Sequence, residues 1–341
     1  MKKLFLFLSL FTVLMTIHLF PEIIATFRDF KYPHRFYIEG DRIYINEGTT
    51  ISIYSFKNFQ LIKKFGGKGE GPQEFIVDTG NASVQLHVLD DCLQVNSVGR
   101  ISFFTKNGEF IRVMKSTEGD FLRKVKEGYV GWRRIYEDNV RYDLVNLYDA
   151  NLKKIKQLYK RRNGMQPRIG KFNPLTWFID VLYRTYKNNI FVNGGDENID
   201  VFNHKGETLY TIKIDYEKVE ITDKAKQAII KFYKEEDPYW KRAWPRIKSW
   251  VQFPDYYPIV RLFDIEDDRI YIQTFKEEKN KSEFLILDLK GKLLTKTFVP
   301  VVKETFLWIY PYCIKNNKFY QMIENEETEE WELHRTKISN K

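Results

Sequence analysis

A chain of 341 residues that is 43% hydrophobic and 30% charged has the balance of a folded, water-exposed protein and too much apolar content to stay disordered. Its net charge of +9 is spread thinly, with no long Lys/Arg block, so charge alone names neither a nucleic-acid nor a lipid partner. Cys92 and Cys313 cannot build a thiolate zinc centre on their own; one long-range disulfide and two separate buried thiols are both open to them.

The chain opens as an export signal. Lys2-Lys3 supply a positive start, Leu4 to Phe20 an apolar run, Pro21 a break, and Ile23-Ile24-Ala25 a small residue at a cleavage point. The expected layout is a signal peptide over 1–25 and one domain over 26–341, with a retained membrane anchor as the alternative. Ala25 to Phe30 then reads as a strand with no hairpin partner beside it.

Short alternating strands follow in groups of four. The first group uses Arg35-Glu39, Arg42-Ile45, Ile51-Ser55 and Gln60-Phe65, and leads into the glycine-rich stretch from Phe65 to Phe75. The second runs from Ser83 to Met114 and ends on an Asn107-Gly108 hairpin, a turn whose twist matches antiparallel strands. The third covers Phe121 to Tyr159, the fourth Trp177 to Ile214 and the fifth Ile259 to Phe298. A sixth has three strands only, in Phe306-Ile314, Lys318-Ile323 and Trp331-Thr336. The last hairpin turns, at Asn58, Gly108, Asn151, Gly206 and Gly291, recur at roughly the 40- to 50-residue period of propeller blades, broken once. The reading is an all-β six-bladed propeller of four-stranded antiparallel blades, closed by the orphan strand near Ala25-Phe30 joining the sixth unit. Two separate sandwiches are the alternative.

The break is an insert over 221–257 between the fourth and fifth blades. Ile221 to Tyr233 predicts a helix capped by Thr222 or Asp223. Tyr239, Trp240, Trp244 and Trp250 come next, interleaved with Lys241, Arg242, Arg246 and Lys248. Such rings either stack on sugar or peptide surfaces beside basic groups, or pack the insert onto one mouth of the ring. Tyr239, Trp240, Arg242 and Trp244, with Arg133 and Arg134 of the third unit, form the expected ligand-binding set.

Other chemistry is sparse. The Gly-Lys-Gly-Glu-Gly segment lacks the ending of a phosphate-binding loop and continues into a strand, so it reads as a structural crossing. Of His18, His34, His87, His204 and His334, His87 is the best placed, on the inner half of its unit. Asp196, Glu197, Asn198 and Asp200, and again Asp264, Glu266, Asp267 and Asp268, are clusters that could offer oxygens to a divalent cation such as calcium, but solvated turns explain them as well. No cofactor is otherwise indicated, and no nucleophile-base-acid set appears.

The glycine loop from Phe65 to Phe75, with Asn107-Gly108-Glu109-Phe110, Lys205-Gly206-Glu207-Thr208-Leu209 and Lys290-Gly291-Lys292-Leu293, resembles the six-bladed propellers related to NHL repeats, common among exported proteins of the Bacteroidetes. The resemblance spans roughly 26 to 341. It implies the fold and an extracytoplasmic location, periplasmic or extracellular, and implies little about activity. The expected function is a non-enzymatic binding or scaffold protein, a monomer, whose ligand is an anionic glycan, a peptide or a protein and not a nucleic acid. A metal-dependent hydrolase or lactonase on the same fold is the alternative.

Overall fold

The computed structural model describes residues 21–77, 83–116, 120–175, 182–194, 197–305 and 307–338. Six four-stranded antiparallel sheets form a ring in chain order. Blade one is Arg35–Glu39, Arg42–Glu47, Thr50–Ser55 and Leu61–Gly66. Blade two is Gln85–Val88, Leu93–Ser97, Arg100–Phe104 and Phe110–Lys115. Blade three is Asp120–Val125, Gly128–Glu137, Val140–Tyr148 and Lys154–Arg162. Blade four is Leu182–Tyr186, Asn189–Asn193, Asn198–Phe202 and Thr208–Lys213. Blade five is Leu262–Glu266, Arg269–Glu278, Lys281–Asp288 and Leu293–Pro300.

Burial follows position in the blade. The two middle strands of blade one are buried along almost their whole length because a neighbouring blade covers each face, whereas its outer strand is mostly exposed. The middle strands are therefore written in Ile, Val, Tyr and Phe, the residues that fill a pleated surface best.

Blade six is Tyr312–Lys315, Lys318–Asn325 and Glu330–Lys337, and its outer strand is Glu22–Phe27 from the start of the described chain. Thr26 pairs with Glu332 and Phe27 with Trp331, so the ring is closed as expected, with the strand shifted to begin at Glu22. It takes in residues that the sequence reading gave to the leader. Phe27 is 3% exposed and sits 4.9 Å from the Tyr54 ring of blade one, which locks the closing strand to the first blade.

The Gly hairpins recur for a steric reason. Gly108 and Gly291 both have positive φ, and a Cβ at Gly291 would lie 2.4 Å from Ile212 on the outer strand of the blade before it. A Cβ on Gly108 would meet Phe65 of blade one at 2.8 Å in the same way. The glycine loop is a bracket. Arg100 donates to the carbonyls of Gly69, Glu70 and Glu74 at 2.6 to 3.0 Å, while the Gly67 and Phe75 amides bond within the loop and against Thr49. Its carbonyls hold a cation, which is the reverse of a phosphate cradle.

Inner strands all run from one mouth of the ring, here called upper, to the other. The upper mouth carries every connection from an outer strand to the next inner strand. The insert is therefore on the upper mouth, an assignment that the sequence left open. It holds α1 (Asp223–Lys231), a wider π turn over Phe232–Glu236, and α2 (Pro238–Ile247). Thr222 caps α1 through the Ala225 amide, and Asp237 caps α2 through the amides of Tyr239 and Trp240. The second helix occupies what sequence read only as an aromatic stretch. Ile229, Phe232, Tyr233, Trp240 and Ile247 pack on Phe172 and Leu175 from the connection before blade four and on Leu307 from the connection before blade six. Three successive connections are thus fastened into one satellite core. No described helix is long and apolar enough to cross a membrane.

Candidate functional site: an arginine-lined channel

Six inner strands surround the axis, and each carries a polar or ionisable side chain. Arg35 and Tyr37 come from blade one, His87 from blade two, Arg123 from blade three, Arg184 from blade four, Asp264 from blade five and Tyr312 from blade six. Mutual electrostatic influence ties the set together. Arg35 is acted on by Tyr37, Asp264 and Tyr312, and His87 by Arg123, Arg35 and Arg184. Arg123 feels Arg184, Tyr37, Tyr183 and Arg35. Arg35 retains solvent contact although protein surrounds it, as expected of a side chain on a channel wall.

The arginines are held in place. Arg184 Nε donates to Asp264 Oδ1 at 2.6 Å, its Nη1 donates to the Tyr183 carbonyl at 3.0 Å, and its guanidinium lies 5.4 Å from the Phe263 ring centroid. Arg123 lies over the Tyr183 ring at 5.8 Å. Tyr183 in turn donates its hydroxyl to the Phe121 carbonyl, and Tyr37 donates to the Leu86 carbonyl at 2.8 Å. Burial, and then the Arg184 charge, hold Arg123 down to about 10.

The lower end is closed by different chemistry. Lys315 bridges Glu39 at 2.7 Å and Glu266 at 2.8 Å, each the last residue of its inner strand. These partners keep Lys315 charged above the ordinary lysine range although its burial works against them. Arg35 and Tyr312 open their strands and so lie toward the upper mouth. Arg123, Arg184 and Asp264 each stand two residues before the end of an inner strand, directly above the carboxylate-containing floor.

His87 is 5% exposed, and neither ring nitrogen has a hydrogen-bonding partner. Burial first, and then Arg123, Arg35 and Arg184, push it well below the ordinary histidine value and keep it neutral. Of the histidines, this is the one that sequence placed on the inner half of its unit. His204 is at 3.4 Å from Lys126 in an outer turn, and His334 pairs with Glu332 at 2.8 Å.

The sequence-derived set lies elsewhere on the same mouth and divides. Trp240 is 2% exposed and stacks on Phe172 at 5.7 Å, so it has no face left for a ligand; it is core of the insert. Tyr239 is 61% exposed. Trp244 is half-buried against Tyr233, and Arg242 donates to the Pro238 carbonyl of its own helix at 3.2 Å. On blade three, Arg134 donates to the fully buried Asp143 at 3.2 Å, which Asn163 and Arg161 also reach. Arg133 is partly exposed on the same extended strand. The channel arginines were missed because each stands alone in its strand, in YPHRFY, FLRKV and LYRTY. Their spacing in sequence is a blade or more, and only ring closure brings them together.

The second acidic cluster is dispersed by its partners: Asp264 faces Arg184, Glu266 faces Lys315, and Asp268 pairs with Lys187 at 2.6 Å. In the first cluster Glu197 pairs with Lys218 and Asp200 accepts from Thr211, while Asp196 lies outside the described residues. Among the described residues no group of three or more His, Cys, Asp or Glu side chains is arranged to hold a metal ion. Cys92 and Cys313 are both free thiols.

No protein-family model matches the chain, and no curated protein does. Among solved structures, it is similar to a member of the DUF4221 family from Bacteroides vulgatus, at 13% identity over 94% of this chain and 99% of that one, with a TM-score of 0.49. It is similar to the computationally designed Ika8 protein at 10% identity over 92% and 99%, TM-score 0.40. BamB from Moraxella catarrhalis aligns at 10% identity over 88% and 71%, TM-score 0.32. Identity and TM-score are low in all three, and the six-bladed assignment rests on the strand pairing above.

Proposed function

We infer that this propeller is a non-enzymatic binding module that takes an anionic ligand into its central channel. The observation that carries this reading is that Arg35, Arg123 and Arg184 stand on the inner strands of three blades, with Arg123 under the electrostatic influence of the other two and Asp264 the carboxylate paired with them among the described residues. Guanidinium groups held by ring stacking and hydrogen bonds offer fixed donor forks for carboxylate, phosphate or sulfate oxygens. The ligand class is an acidic glycan or an acidic peptide, entering from the mouth that bears the insert. Tyr239 and Arg242 are exposed on that mouth and extend the contact beyond the channel. An exported, monomeric protein of the NHL-related kind, with no nucleic-acid partner, completes the reading; the positive start and apolar run of the first 20 residues support export. A metal-dependent hydrolase draws no support from the acidic side chains, which are matched to Arg184, Lys315 and Lys187.

The test is titration calorimetry of the full chain against acidic and neutral glycans and peptides. The parent is expected to bind acidic members only, and the Arg35→Gln/Arg123→Gln/Arg184→Gln variant to bind none. Equal binding by a folded triple variant would remove the channel from the account.

A further inference from the structure

The channel holds an unfilled hydrogen-bonding position as well as unbalanced charge. His87 has both ring nitrogens buried without a partner, and an unsatisfied buried polar group in a native fold calls for an explanation. The charged groups that act on it are Arg123, Arg35 and Arg184, which can only donate. A ligand oxygen among the arginines can accept from the imidazole N–H, with the other nitrogen left to accept from a protonated oxygen or water.

Charge points the same way. Among the described residues, Asp264 is the carboxylate paired with these three arginines, through Arg184, so positive charge is in excess around them. The Lys315 layer at the floor, two carboxylates and one ammonium, carries a net negative charge of its own and leaves the named channel groups positive in sum. The donors stand on the inner strands of blades one, two, three and four, at different angles around the axis. A flat carboxylate presents its two oxygens in one plane, whereas a tetrahedral group presents oxygens toward all of them.

We propose that Arg35, Arg123, Arg184 and His87 form a subsite for a tetrahedral oxyanion, the phosphate or sulfate chemistry of a larger ligand or of the free ion. The proposal rests on the channel reading above. Asp264 belongs to the subsite as the group that fixes Arg184, and Tyr312 lines its upper edge.

The probes are inorganic phosphate and sulfate, each against chloride at matched ionic strength, read by thermal melting and by titration calorimetry on the full chain. Both oxyanions are expected to raise the melting temperature saturably, at one site per chain. His87→Leu, which keeps bulk and removes both nitrogens, should weaken binding about tenfold, and His87→Gln should recover most of it. A tenfold preference for phosphate points to phosphorylated ligands and one for sulfate to sulfated glycans; either supports the subsite. No saturable effect beyond chloride overturns it, as does parent-like affinity in His87→Leu. If His87→Leu does not fold, Arg123→Gln decides by the same measurement: unchanged oxyanion affinity overturns the proposal. Binding of an acidic peptide or glycan that depends on the arginines, without any phosphate or sulfate effect, defeats the subsite and leaves the broader reading standing. Loss of every anion effect defeats both.

Discussion

Arg184 donates to Asp264 across the boundary between blades four and five, and this 2.6 Å contact couples an interblade fastening to the charge of the channel. Removing the carboxylate leaves the guanidinium groups facing one another without compensation. Asp264→Asn is therefore expected to destabilise the fold by about 1–3 kcal/mol in low-salt chloride buffer, with part of that recovered on adding phosphate or sulfate. Urea unfolding in the two buffers checks this; a variant as stable as the parent would mean that the cluster carries no strain of like charge.

Ring closure depends on the first described strand. Phe27 is buried between Tyr54, Phe30 and Trp331, whereas Ile23 on the same strand is 52% exposed. Phe27→Ala should cost about 3–5 kcal/mol and Ile23→Ala about 0.5 kcal/mol or less, by denaturant unfolding. Similar losses in both would argue against the strand as the closing element.

The insert separates packing from display within two adjacent residues. Trp240→Ala removes the ring between Phe172 and Tyr233 and should lower the melting temperature by several degrees. Tyr239→Ala should leave it unchanged. A reversal of that order would place the second helix differently on the mouth.

Blade count and strand order were legible because they depend on local signals, and closure because the sixth unit is one strand short and the first strand has no partner beside it. Asn107-Gly108 and Lys290-Gly291 announce outer hairpins, and their glycines also meet a steric demand from the preceding blade that no single unit reveals. The second helix was harder to read. Its apolar positions are aromatic and two prolines, Pro238 and Pro245, lie in it, although Pro238 is a favourable first-turn residue after the Asp237 cap. The site was the least legible part. Clustered Trp and Arg in the insert drew attention by proximity in sequence, yet Trp240 is core and Arg134 is engaged by Asp143. The channel residues are separated by whole blades, and a radial fold hides such convergence from any linear pattern.

Acid should weaken the protein in part through His87. The native ring stays neutral well below the ordinary value of 6.5, mainly by burial and then by the neighbouring arginines, while the unfolded chain takes up a proton there. The unfolded state therefore binds more protons below about pH 6.5, and stability that is full above that pH is lost as pH falls. His34, also lowered by burial, acts with the same sign. His87→Gln in chloride buffer should flatten the decline between about pH 6.5 and 5 by up to ~1.4 kcal/mol per pH unit. Parallel curves for parent and variant would show that His87 titrates normally.

The most direct test of the channel as an anion site is a crystal grown with selenate, an anomalous scatterer with the shape and charge of sulfate. The account predicts an anomalous peak on the propeller axis, within hydrogen-bonding distance of Arg35, Arg123, Arg184 and His87, and its loss in Arg123→Gln crystals. An empty channel with selenate bound only at Tyr239, Arg242 or Arg133 on the outer rim would contradict it.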